Sequence, residues 1–200
     1  MGEAYIIDAV RTPVGRRGGG LAEEHPADLG AHAIKGLIDR VGIDPMTVDD
    51  VIMGCLDNMG PQAGDIARTA WLAAGMPEAI PGVTVDRQCG SGQQAVSFAA
   101  MGVMSGVQDI VVAGGMQNMS LIPIGSAMDV MGHEAIGRPD IEDPYSTSKG
   151  WVERYGTQEV SQFRGAELIA KKWGLTRENL EEFALESHER AARAQDEGRF

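Results

Sequence analysis

Val83-Thr84-Val85-Asp86-Arg87-Gln88-Cys89-Gly90-Ser91-Gly92-Gln93-Gln94-Ala95 carries the densest signal in the chain. The apolar Val83–Asp86 run predicts a short strand. Gly90 and Gly92 mark a tight turn after it. Gln93–Met104 is Ala-rich and uncharged, which predicts a helix stopped by Gly106. Cys89 therefore falls just before a helix N-terminus. Unpaired backbone N–H groups and the positive end of the helix dipole gather there. Both favour a thiolate over a thiol. The same geometry offers the Cys89 backbone N–H to an oxyanion. A lone cysteine is also a common buried filler, and the strand–turn–helix setting by itself leaves the nucleophile and filler readings level. Asp86 would oppose a nearby thiolate if its charge pointed there; its other role is an Asx bond that ties the turn.

Outward from this stretch the first 116 residues alternate between two textures. Ala4–Val10 is an apolar run predicting a strand, followed by Arg11-Thr12-Pro13. Ala27–Val41 carries Leu29, Ala33, Leu37 and Val41 at helical spacing, with Gly42 as its stop. Val48–Leu56 predicts a second strand, Asp65–Ala74 a second helix, and Ile110–Ala113 a fourth strand. A βαβαβαβ order means crossover connections and a mostly parallel sheet covered by helices, an α/β fold. A helix with no charge, such as Gln93–Met104, calls for cover on every side. One sheet covers one side, so the pattern implies a further layer: a second sheet, a second half-domain or a subunit.

From Gln117 to about Gln158 Met, Gly, Pro, Asp and Ser dominate and no period is sustained. So long an irregular stretch is usually functional or an excursion onto a partner. The expected organisation is a half-domain over residues 1–116 and a loop domain with following helices over 117–200. Val160–Trp173 predicts an amphipathic helix, and Thr176 N-caps another whose remaining faces are crowded with charge. The chain closes on Gly198-Arg199-Phe200 with no closing element, which together with the uncharged helix reads as the first half of a larger fold.

Composition narrows the functional classes. With 43% hydrophobic and 23% charged residues, the chain is neither a disordered tail nor a fibre. The net charge of −12 makes nucleic acid a poor partner, while small anionic ligands stay open. Two cysteines, Cys55 and Cys89, make no disulfide framework and fit a reducing compartment, the cytoplasm. The first residues lack a basic, apolar leader, and no apolar run is long enough to span a membrane. The four histidines, His25, His32, His133 and His188, are scattered without ligand spacing, so no metal is expected. Gly15–Gly20 holds Arg16 and Arg17 but lacks the ending of a phosphate loop. Asn118-Met119-Ser120 matches a glycosylation sequon, read as chance.

Several stretches together resemble the thiolase family of acetyl-CoA acetyltransferases and 3-ketoacyl-CoA thiolases. These are Arg11-Thr12-Pro13-Val14-Gly15, Gly60–Arg68, Arg87–Ala95, Ala113–Ser120 and Ala166–Leu175. The resemblance runs from end to end and tips Cys89 to nucleophile. It implies a layered α/β/α/β/α sandwich of two similar halves, of which this chain supplies the first with its loop domain. It implies acyl transfer through Cys89, with coenzyme A as co-substrate and no permanently bound cofactor. The family's other catalytic groups, a His in an Asn-Glu-Ala motif, a His in Gly-His-Pro and a Cys in Cys-x-Gly, do not occur in these residues. A C-terminal half is thus an implied partner, with acyl-CoA, CoA and further copies in a homodimer or homotetramer. Two positions depart from the family. Asp86 stands where Asn is usual. Ser161-Gln162 aligns with the His-Met pair of biosynthetic members, which marks these two as substrate-binding candidates and favours a degradative enzyme with a bulkier acyl chain, a steroid side chain among the options. The alternatives are a truncated acyl-CoA-binding or assembly subunit without catalysis, and, more remotely, a ketosynthase-like condensing unit.

Overall fold

The computed structural model describes residues 2–129 and 144–199; His133 and the middle of the irregular stretch lie outside them. The chain divides into two compact units, Met1–Pro139 and Asp140–Phe200.

The first unit is built on three parallel strands in the order β2-β1-β3: β1 (Asp50–Gly54), β2 (Gly82–Val85) and β3 (Val111–Gly115). Ile52 pairs with Val83 on one side and Ala113 on the other. The helices are α1 (Pro26–Val41), α2 (Ile66–Ala73), α3 (Ser91–Met104) and the single turn α4 (Ser126–Asp129). The unbroken apolar run of β1 is explained by cover on both faces. Val51 and Met53 join Ile34, Ile38, Ile66 and Trp71 in the larger core under α1 and α2. Ile52, between them, meets Ala95 and Ala99 of α3 on the opposite face.

Helix α1 starts where His25 Nδ1 accepts from the Ala27 N–H and Pro26 takes the first turn. Its buried stripe is Ala27, Ala31, Ile34 and Ile38, the spacing of one helical face. Gly42 ends it at φ +73°, a conformation that suits glycine.

One expected strand does not form. Ala4–Val10 pairs with no strand. Tyr5, Ile6 and Ile7 stand 73–80% exposed. Its ties are an ion pair from Asp8 to Arg40 at 2.8 Å and a neighbouring hydrogen bond from Gly2 N–H to Met104 O. A strand is defined by its ladder, and no described strand lies alongside this run. The βαβαβαβ order is therefore realised with three strands.

Helix α3 shows what a single sheet can cover. Ala95 and Ala99 are buried against it, whereas Phe98 is 41% and Met101 62% exposed. The uncharged helix is therefore covered on one side and bare on the other.

In the second unit, α5 (Lys149–Tyr155), α6 (Gln162–Trp173) and α7 (Arg177–Asp196) follow one another. Ser148, Ser161 and Thr176 N-cap them in turn, and Thr176 and Asn179 form a reciprocal capping box. α5 falls inside the stretch read as irregular, because seven residues are too few to display a period. The Trp151 ring contacts those of Tyr145 and Tyr155, each with centroids 4.7 Å apart and planes inclined at 46°. The charges of α7 pair along its own surface, Arg177 with Glu181 and Arg190 with Glu186.

Candidate active site

Cys89 is exposed and sits two residues before the first residue of α3. Hydrogen bonds among its neighbours shape the turn that presents it. Asp86 Oδ1 accepts from the Gln88 N–H at 2.9 Å, and Ser91 Oγ accepts from the Arg87 N–H at 2.9 Å. Gly90 and Ser91 donate back to the carbonyls of Arg87 and Gln88. Gln88 is held at φ +48°, a conformation that few side chains adopt. The strain falls beside the cysteine and is fixed by the bonds on either side. Asp86 thus has the turn-tying role.

The turn is clamped to the sheet by backbone approaching backbone. A Cβ on Gly54 would fall within contact distance of the Gly92 nitrogen and the Ser91 carbonyl carbon, and 2.7 Å from the Ser91 oxygen. Only glycine allows β1 to end this close to the start of α3. Together with Gly115 at the end of β3, these residues open a cavity of about 250 Å³ lined by Cys55, Leu56, Gln88, Cys89, Met116 and Gln117, among others. It lies at the C-terminal edge of a parallel sheet, where α/β folds place their ligands.

A buried polar network holds the loops around this edge. Gln62 is fully buried; its Nε2 donates to Asp57 O at 3.1 Å and its Oε1 accepts from the Asn118 N–H at 3.0 Å. Asn118 Nδ2 donates to the carbonyls of Leu21, Ala22 and Glu24, and its Oδ1 accepts from Ser120 and Leu121. The amide of the sequon is therefore committed inside the fold. The Asp57 carboxylate, 5% exposed, accepts from Gly125 and Ala127 at 3.0 and 2.9 Å. The sequence reading gave no role to Gln62, Asp57 or Gln117, although Gln62 and Gln117 fall within two of the stretches that carry the family resemblance. The Gly-rich loop joins the same region through a bond from Gly18 N–H to Ser120 Oγ.

The two cysteines line one cavity in opposite states. Cys55 is 1% exposed. Burial, with the carboxylates of Asp86 and Asp57 behind it, pushes its thiol up to about 11. At pH 8 about one Cys55 in a thousand is then ionised. Iodoacetamide is expected to label Cys89 at least about a hundredfold faster than Cys55, measured by peptide mass spectrometry over time; equal rates would contradict the assignment. Because the folded pKa of Cys55 is raised, its neutral form contributes stability below the unfolded value of about 8.5. That contribution is lost as pH rises towards 11. Cys55→Ala should flatten the fall of the melting temperature across this window.

Asp86→Asn tests the turn directly. The amide oxygen of Asn can accept from Gln88 as the carboxylate does. Alkylation and acylation of Cys89 are expected to change by less than about tenfold, or 1.4 kcal/mol. A larger gain would mean that the charge acts on the sulfur.

The remaining candidates belong to the second unit. Ser161 Oγ accepts from the Arg164 N–H at 3.1 Å as the cap of α6, and Gln162 is the first residue of that helix. Among the described residues no group of three His, Cys, Asp or Glu side chains could hold a metal ion. No helix among them is long and apolar enough to cross a membrane.

The family model of the thiolase N-terminal domain matches residues 4–200. The chain belongs to the thiolase family. It is 62% identical over its whole length to the steroid 3-ketoacyl-CoA thiolase FadA6 of Mycobacterium tuberculosis, covering 48% of that protein. It is 37% identical over its whole length to a 3-ketoacyl-CoA thiolase of Bacillus subtilis, covering 47% of it. Over 99% of the chain it is 36% identical to the 3-oxoadipyl-CoA/3-oxo-5,6-dehydrosuberyl-CoA thiolase of Escherichia coli, covering 50% of it. The chain thus spans about half the length of these curated thiolases, and the fold described above is that of a thiolase N-terminal domain.

Proposed function

We propose that this chain is the nucleophile-bearing half of a degradative thiolase that cleaves a 3-ketoacyl-CoA. The observation that carries the reading is the exposed Cys89, presented by a strained turn before α3 at the rim of the cavity. In this reaction the Cys89 thiolate attacks the C3 carbonyl carbon. A C–S bond forms and the carbonyl oxygen takes the charge, stabilised by the Cys89 backbone N–H. Collapse of the tetrahedral adduct breaks the C2–C3 bond. The leaving carbanion is protonated and departs as acetyl-CoA, and the shortened acyl group remains on Cys89 as a thioester. The thiolate of a second CoA attacks that thioester, releases the shortened acyl-CoA and restores Cys89. The sequence has no second acid or base motif of the family, so a C-terminal thiolase half supplies the proton transfers.

That half also covers the bare side of α3. Residues 1–116 serve as the catalytic half-domain. Residues 117–200 form the loop domain and its helices, and Ser161 and Gln162 are its substrate-binding candidates. The co-substrate is CoA, and no permanently bound cofactor takes part. The assembly is a homodimer or homotetramer working in the reducing cytoplasm, in keeping with two free thiols. A bulky acyl chain of steroid type is favoured by the steroid 3-ketoacyl-CoA thiolase activity named for the 62% identical relative and by Ser161-Gln162. The test is mass spectrometry of the chain, assembled with a C-terminal thiolase half, after incubation with acetyl-CoA or a 3-ketoacyl-CoA. An acyl adduct on Cys89 is expected; its absence would overturn the reading.

A further inference from the structure

Two successive peptide units of the turn before α3 are held in different ways. In the Arg87–Gln88 unit both ends are bonded: Gly90 N–H donates to Arg87 O at 3.0 Å, and Gln88 N–H donates to Asp86 Oδ1 at 2.9 Å. In the Gln88–Cys89 unit only the carbonyl is bonded. It accepts from Ser91 Oγ at 2.5 Å and from Ser91 N–H at 3.1 Å. Among the described residues no acceptor is hydrogen-bonded to the Cys89 N–H. A trans peptide unit is planar, with its C=O and N–H pointing in opposite directions. Fixing the Gln88 carbonyl therefore fixes the direction of the Cys89 N–H. The hold is needed because Gln88 stands at φ +48°, and a residue with a side chain relaxes from there when a neighbouring peptide unit turns over. The Ser91 hydroxyl resists that turn at two points. It donates to Gln88 O and accepts from Arg87 N–H at 2.9 Å, so one oxygen spans the strained residue. Ser91 is itself anchored: it is 4% exposed, opens α3, and has its carbonyl packed closely against Gly54 of β1.

We propose that Ser91 is a positioning residue for acyl transfer, whose hydroxyl locks the Gln88–Cys89 peptide unit and so keeps the Cys89 N–H free to receive the oxyanion. This rests on the acyl-transfer reading and adds a residue to it. The Ser91 oxygen is taken up by its two turn bonds, so it acts through the Cys89 N–H. A donor fixed in place before charge develops needs no reorganisation during the reaction. The effect is confined to steps that build charge on the acyl oxygen: attack of Cys89 on the carbonyl, and attack of the CoA thiolate on the thioester. A reaction of the sulfur that makes no oxyanion lies outside its reach.

The test compares wild type with Ser91→Ala in the chain assembled with a C-terminal thiolase half. Acylation of Cys89 by acetyl-CoA is expected to slow at least about tenfold. Alkylation of Cys89 by iodoacetamide, which makes no oxyanion, should keep its pH profile and stay within about threefold. With a ¹³C-labelled acetyl group, the infrared carbonyl stretch of acyl-Cys89 should move to higher frequency in the variant, because the donor that weakens the C=O bond has turned away. If Ser91→Ala does not fold, the same readouts compare Gln88→Gly with the double variant Gln88→Gly, Ser91→Ala. Glycine takes φ +48° without strain, yet leaves the peptide unit free to turn once the hydroxyl is gone. Acylation within about twofold of the reference protein, an unchanged carbonyl stretch, or alkylation that slows as much as acylation overturns the assignment. A wild type that takes no acyl group at all overturns the acyl-transfer reading instead, so the two failures are distinct.

Discussion

Cys89→Ser is expected to leave a folded protein that takes up no measurable acyl group. A serine hydroxyl does not ionise near neutral pH, and among the described residues no base is hydrogen-bonded to position 89. The weak nucleophile thus has no activating partner of its own, and a loss of roughly a thousandfold or more is expected. The fold should survive because Cys89 is exposed and lies outside both apolar cores. Its turn is held by Asp86 and Ser91, not by the sulfur. The melting temperature should therefore shift by no more than corresponds to about 0.5 kcal/mol. Adduct mass and thermal melts on the same preparation check both halves of this statement. A variant that still acquires an acyl group would move the nucleophile elsewhere, with Cys55 as the first residue to examine.

The setting of Cys89 was legible in the sequence because its local determinants are contiguous between Val83 and Met104: a β-branched run, two glycines and an uncharged helix. The helices were legible for a related reason. Ala27, Ala31, Ile34 and Ile38 repeat at the period of one face, and His25-Pro26 and Gly42 mark its ends. The bare side of α3 was likewise implied by a helix without charge beside a single sheet. In each case the information is local.

What escaped the reading depends on residues far apart. Ala4–Val10 has the composition of a strand, but a ladder needs a neighbour, and composition does not say whether one is present. Gln62 and Asn118 look like surface residues in isolation. Their burial is settled by partners up to 97 positions away. The same holds for Gln117, which joins the lining of the cavity only once the end of β3 is folded against Gly54. Polar residues that hold a site together are the hardest to read from sequence, because their environment is made by segments that carry no pattern of their own.

Gly54 is where fold and chemistry meet, and Gly54→Ala is expected to damage both. The new methyl group would enter the space of the Gly92 nitrogen and the Ser91 carbonyl, which are backbone atoms and cannot rotate aside. Either α3 retreats from the sheet or β1 leaves its register. β1 is the central strand, paired with β2 and with β3 through Gly54 itself, so neither adjustment stays local. A loss of roughly 2–4 kcal/mol is expected, at or beyond the upper end of ordinary overpacking. Acylation and alkylation of Cys89 should change together, since the turn that presents the sulfur is built on Ser91 and Gly92. Gly36→Ala provides the contrast. Gly36 lies on the exposed side of α1 with nothing within 4 Å of the added methyl, and there alanine should stabilise by up to about 1 kcal/mol. Thermal melts and iodoacetamide kinetics on the two variants separate a general tolerance of the fold from the tight approach at the site. An unchanged melting temperature and unchanged Cys89 reactivity in Gly54→Ala would mean that β1 and α3 have slack between them, and the geometry assigned to Cys89 would then have to rest on the hydrogen bonds of its turn alone.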